Sequence, residues 1–88
     1  MTPPKNRRKT SVEYPDAARR QKLEGTVQLN LLISETGQVL DVRVLKSAHP
    51  ILDDAAVRTV KLWVYEPAKM KNVPVRVWLG TSITFVKR

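Results

Sequence analysis

From Val73 to Lys87 apolar and polar side chains alternate for longer than anywhere else in the chain. Val73, Val75, Val77, Leu79, Ile83 and Phe85 share one face, and Arg76, Trp78, Ser82 and Thr84 share the other. Successive side chains of a strand point to opposite faces, so this run reads as half-buried β-structure with one apolar side. Such a strand buries nothing alone; it needs neighbours along its edges and a layer over its apolar face. It is also long, since strands usually run about five or six residues. Either Gly80 bends it, or it overhangs its neighbours and pairs with something else.

The neighbours are legible upstream. Val27, Leu29, Leu31 and Ile33 alternate with Gln28 and Asn30, and Leu40, Val42 and Val44 alternate with Asp41 and Arg43. Ser34, Glu35, Thr36 and Gly37 lie between them as a short loop with a glycine free to take positive φ, so the two runs predict a β-hairpin. Two helical stretches supply the covering layer. In YPDAARRQKLEG, Pro15 suits a first helical turn, Asp16 complements the N-terminal dipole and Gly25 suits a C-terminal cap, with Ala18, Leu23 and Tyr14 as buried contacts. After SAHPILDD, with Asp53 and Asp54 near a helix start, Leu52, Ala56, Val60 and Trp63 recur at spacings of four, four and three. That is an amphipathic helix of about three turns. Trp63 closes its apolar stripe and Tyr65 swings back to the same core, both plugging the end of the helix–sheet interface. Pro67 stops the helix from continuing.

Eighty-eight residues allow one domain. With no cysteine, neither a disulfide nor a thiolate metal site can staple it, and packing alone must hold it. Sixteen Lys and Arg against eight Asp and Glu give a net charge of +8, and half of that excess lies in Lys5, Arg7, Arg8 and Lys9. Residues 1–12 are polar, basic and proline-containing without a period, and are expected to be the disordered end of a linker. No apolar run reaches the roughly 18 residues needed to span a bilayer. His49 is the single histidine, lies before a proline without suitable partners nearby, and reads as a turn residue rather than a metal ligand or base. The serines lack a paired base, and the acids are scattered among basic neighbours. Thus no catalytic residue, metal site or cofactor is expected.

The segments YPDAARRQKLEGTV, SETGQVLDVRVLKS, HPILDDAAVRTVKLWVYEPAK and VPVRVWLGTSITF, in that order, resemble the C-terminal domain of the TonB family over residues 13 to 86. The resemblance implies an α+β fold of order α-β-β-α-β: a three-stranded antiparallel sheet with its first strand central, its third at an edge, and two helices on one face. It also implies a non-enzymatic periplasmic energy transducer. The full-length chain would be anchored in the inner membrane, coupled to motor proteins there through a missing N-terminal region, and would bind the TonB box peptide of an outer-membrane receptor beside the last strand. Family members of the enterobacterial kind carry Gln-Pro-Gln before Tyr-Pro; here that place reads Ser11, Val12, Glu13, so contacts made by those glutamines do not carry over.

The residue pattern and the resemblance converge on Val75, Arg76, Val77, Trp78, Leu79, Gly80, Thr81 and Ser82 as the ladder that would take a peptide, with Tyr14 and Pro15 matching the family at a second contact point. An edge strand carries unpaired N–H and C=O groups that an extended segment can satisfy. Trp78 falls on the uncovered sheet face, where it either meets a partner or is shielded by Arg76 in a cation–π pair. Two alternatives stand beside this reading. One is a basic nucleic-acid-binding module, disfavoured because a single aromatic lies on the open face and no nucleic acid is expected as partner. The other is a structural domain of a cell-envelope machine, a homodimer that exchanges its overlong last strand.

Overall fold

The computed structural model describes residues 1–86. The chain runs β1 (Lys5–Arg8), α1 (Asp16–Arg20), β2 (Gly25–Ile33), β3 (Val39–Lys46), α2 (Pro50–Val60), β4 (Val64–Glu66), β5 (Ala68–Met70), β6 (Val73–Val75) and β7 (Val77–Phe85). The main sheet has the order β3-β2-β7, antiparallel throughout, with β2 in the middle. This is the α+β arrangement expected from sequence.

The centre of the fold is the inward row of β2. Val27, Leu29, Leu31 and Ile33 are all completely buried, under Leu52, Ala55, Ala56 and Val60 of α2 and Ala18 of α1. Each large aliphatic side chain so buried contributes about 1.5–3 kcal/mol relative to exposure. The helix α2 is positioned by its first turn. His49 is the N-cap, and its Nδ1 accepts the Ile51 N–H at 3.2 Å. Asp53 accepts the Ala48 N–H at 3.0 Å and the Ser47 hydroxyl, which ties the preceding loop to the helix start. The turn role of His49 is therefore a capping role. Trp63 and Tyr65 are both buried beyond the end of α2, Trp63 in the loop and Tyr65 in β4.

Several expectations are corrected. Helix α1 is only five residues long and is not capped by Gly25; Lys22, at φ 55°, takes the left-handed position, and Gly25 already belongs to β2. Leu40, expected on the inner face with Val42 and Val44, is exposed, because β3 carries an irregularity at each end of its pairing with β2. Leu32 pairs with Asp41 and Ile33 with Val39, which leaves Leu40 as the extra residue; Leu45 is the extra residue between Val44 and Lys46. An inserted residue reverses the parity of the alternation, so a face read from period alone fails there. Val42 is only half-buried and Val44 is exposed, since β3 is an edge with little above it.

Residues 1–12 are not an irregular tail throughout. Lys5–Arg8 pairs antiparallel with β4, Lys5 opposite Glu66 and Arg8 opposite Val64, and Thr2 exchanges backbone hydrogen bonds of 2.8 and 2.9 Å with Lys69. The segment that follows is held by the Trp63 indole, whose Nε1 donates to the Thr10 carbonyl at 3.2 Å, while Lys9 Nζ lies 5.0 Å from the ring centroid. All four residues of β1 are exposed. A strand paired through its main chain and with its side chains exposed leaves no apolar period to read.

The β2–β3 turn is fixed by two contacts. Ser34 Oγ accepts the N–H groups of Thr36 and Gln38, at 3.2 and 3.0 Å, and Gly37, at φ +88°, lets Tyr65 N–H reach the Gly37 carbonyl at 2.8 Å. A Cβ on Gly37 would lie 1.8 Å from the Tyr65 carbonyl oxygen. Replacing Gly37 by Ala is expected to cost at least about 2 kcal/mol in urea unfolding, from a strained φ plus a displaced β4. Burial raises the Tyr65 hydroxyl above its usual pKa, opposed by a hydrogen bond with Asn6. A group whose folded pKa is raised stabilises fully below its unfolded pKa and loses that contribution as pH rises through the folded value. Stability is therefore expected to fall above pH about 10, and Tyr65→Phe should reduce this alkaline loss.

Candidate functional site: an open sheet edge

Strand β7 pairs with β2 along nine consecutive residues, from Val77 opposite Ile33 to Phe85 opposite Gly25. Among the described residues nothing pairs with its other side. The pairing runs through Gly80, which faces Asn30 in unbroken register, so the glycine does not bend the strand. A Cβ there would meet nothing within 4 Å.

The strand is shorter than the sequence alternation suggested. Val73–Val75 is a separate strand, folded back on Ala68–Met70 by a two-residue turn in which Lys71 and Asn72 have φ of 49° and 65°. Turns of this hand match the natural strand twist, and here non-glycine residues occupy them. Val75 is thereby paired with Ala68 and does not join the ladder of β7. Arg76 lies between the two strands and its Nε is 3.0 Å from Glu35 Oε1. That hydrogen bond holds the Glu35 carboxyl below the usual carboxylate pKa. Of the two roles considered for Trp78, shielding by a cation is seen, but from Arg43 on β3, which lies 5.3 Å from the ring centroid, and not from Arg76. The register explains this, because Asn30 faces both Arg43 and Gly80, and Leu32 faces Trp78. Arg43 thus reaches across β2 toward the indole. The end of the proposed run at Lys87 lies outside the described residues.

Of the residues singled out from sequence, Val77, Trp78, Leu79, Gly80, Thr81 and Ser82 lie together on β7. Their burial is graded along the strand. Val77, Leu79 and Thr81 face inward but are only half-buried, whereas Ile83 and Phe85 are fully covered. Tyr14 provides that cover: its ring meets Phe85 edge-on, with centroids 5.7 Å apart and planes at 84°, and its hydroxyl donates to the Leu23 carbonyl. Tyr14 and Pro15 therefore sit at the Phe85 end of the strand, apart from the Val77–Leu79 half. Pro15 instead helps line a cavity of about 400 Å³ with Thr10, Ser11, Glu13, Ala55, Arg58, Thr59 and Leu62. On the uncovered face, Gly80, Thr81 and Ser82 border a shallow depression with Gln28, Leu29 and Leu45. Arg43 and Leu45 were not singled out from sequence, and only the β2–β3 register, with its irregularities, brings them there.

A model of the C-terminal domain of the Gram-negative bacterial TonB protein matches residues 10–86. The chain belongs to the TonB C-terminal family. It is 38% identical to protein tonB2 of Pseudomonas aeruginosa over 74 residues, covering 83% of this chain and 27% of that protein. With the TonB protein of Vibrio cholerae the identity is 32% over 73 residues, 82% of this chain and 30% of the relative. The chain thus spans less than a third of the length of either. The solution structure of the Pseudomonas aeruginosa TonB C-terminal domain superimposes with a TM-score of 0.77 at 26% identity, covering all of this chain and 92% of that one.

In this family member, core and edge lie on one strand and separate by position. Phe85→Ala is expected to destabilise by about 3–5 kcal/mol in chemical denaturation, because the residue is buried against Tyr14. Leu79→Ala, half-buried at the open end, should cost less than half as much.

Proposed function

We propose that this domain is the partner-gripping module of a cell-envelope energy transducer. It takes an extended segment of an outer-membrane receptor, the TonB box, along the free side of β7 and passes mechanical load to it. The single observation that carries the reading is the edge itself: nine residues in regular extended pairing on one side and, among the described residues, no strand on the other. An added strand would satisfy the outward N–H and C=O groups of β7 and deepen the burial of Val77 and Leu79. Main-chain pairing asks little of the ligand sequence, which suits one domain serving several receptors.

The geometry also suits force transfer. A pull along β7 loads its bonds to β2 and to the added strand in shear, so several yield together rather than in succession. The buried row of β2 anchors the strand that takes the load. On this reading the domain works in the periplasm without enzymatic activity. The rest of a longer chain would provide the inner-membrane anchor and the contact with the motor proteins.

Titration with a TonB-box peptide, followed by backbone amide NMR, is expected to perturb Val77–Ser82 most strongly. Changes confined to residues 5–9 would exclude strand addition. Neighbouring residues of a strand turn their N–H groups to opposite sides, so Gly80→Pro and Thr81→Pro form a matched pair. One removes a bond to β2 and should destabilise the sheet; the other should remain folded and lose peptide binding. Normal binding by both folded variants would refute the mechanism. A steep loss of affinity with salt would instead favour the nucleic-acid alternative, and peptide affinity that weakens with protein concentration would favour edge-to-edge dimers.

A further inference from the structure

The turn between β5 and β6 carries an exposed apolar pair inside a cluster of cations, a combination that peptide capture by β7 does not use. Met70 and Val73 face each other across the hairpin and are 52% and 59% exposed. They flank the two-residue turn Lys71-Asn72, and Lys69 precedes them opposite Pro74. Beside β5 runs the N-terminal segment, joined through Thr2 to Lys69 and continuing as β1 against β4. This alignment brings Lys5, Arg7 and Arg8 onto the same arm as Lys69 and Lys71, all five exposed. None of the five forms an ion pair among the described residues. Residues 1–12 and 67–76 contain no acid, and the nearest one in the ladder is Glu66, opposite Lys5.

We propose that this arm docks on an anionic lipid bilayer, with Met70 and Val73 entering the interfacial layer and the five cations meeting lipid phosphates. Charge alone would fit any polyanion. The apolar pair at a rigid tip decides for a bilayer, because a soluble polymer offers nothing to take it out of water, whereas the headgroup–acyl boundary does. The lysine stems beside the tip can lie along that boundary with their ammonium groups at the phosphates. The contact is made by a hairpin tip and a basic arm at the surface, and no helix among the described residues is long and apolar enough to cross a membrane. Its effect would be to hold the domain at a membrane surface in a fixed orientation while β7 stays free.

Co-sedimentation with phosphatidylcholine vesicles, with and without phosphatidylglycerol, tests this on the whole chain. Binding is expected only to the anionic vesicles and to weaken with salt. The double variant Lys69→Gln, Lys71→Gln should lower partitioning by about fivefold per charge removed. Met70→Ser combined with Val73→Ser keeps the charge and alters only exposed positions; it should lower vesicle binding about tenfold while leaving retention on heparin unchanged. Unchanged circular dichroism and thermal midpoint would confirm that each variant is folded. The proposal is overturned if the chain ignores anionic vesicles at low salt, or if the serine variant binds them as the parent does. It is also overturned if heparin retention falls in step with vesicle binding in that variant, which would assign the arm to a soluble polyanion.

Discussion

The structure depends on one strand being saturated on three sides. β2 gives its hydrogen bonds to β3 and β7 and its inward side chains to the helices, and no inward apolar residue from Val27 to Ile33 retains any exposed surface. In so small a domain there is no second core to compensate for a defect there. That saturation is what allows β7 to remain unsatisfied on its far side. An edge strand zipped to its neighbour through nine register pairs can stay extended without a partner, so on the proposed reading an incoming segment would meet a template already ordered and avoid much of the entropic cost of arranging it.

The aromatic residues clustered after α2 serve the same purpose. Trp63 and Tyr65 close the end of the core, and each also binds backbone from elsewhere: Trp63 the carbonyl of Thr10, Tyr65 the carbonyl of Gly37. They fasten both the N-terminal segment and the β2–β3 turn to the helix–sheet junction. Glu35 and Arg76 add a polar tie between that turn and the start of β7. The end of β7 nearest Val77 is thus positioned by the turn that follows its partner Ile33 on β2, although few apolar contacts cover it.

How much of this was legible in the sequence follows from what a period can report. The alternation of Val27 to Ile33 and the spacing of Leu52, Ala56 and Val60 identified the buried faces, because burial selects apolar side chains at regular intervals. The face of Leu40 was not legible, since a single unpaired residue reverses parity without altering composition. Nor was β1, a strand paired through its backbone and composed of exposed polar residues. The break between Val75 and Val77 was hidden because both halves alternate in phase, and the turn that folds Val73–Val75 back on Ala68–Met70 uses Lys71 and Asn72 where a glycine would have marked it. The grouping of Val77 to Ser82 on one strand could be read from sequence, but the contact of Arg43 with Trp78 could not, because it crosses an intervening strand.

The two irregularities in β3 have a consequence for stoichiometry. A sheet with two straight margins could in principle lengthen in both directions, copy after copy. The extra residues at Leu40 and Leu45 break the spacing of donors and acceptors along one margin, which blunts it as a template. Among the described residues β7 is left as the more regular margin of the main sheet, and on the proposed reading that favours one guest strand per molecule.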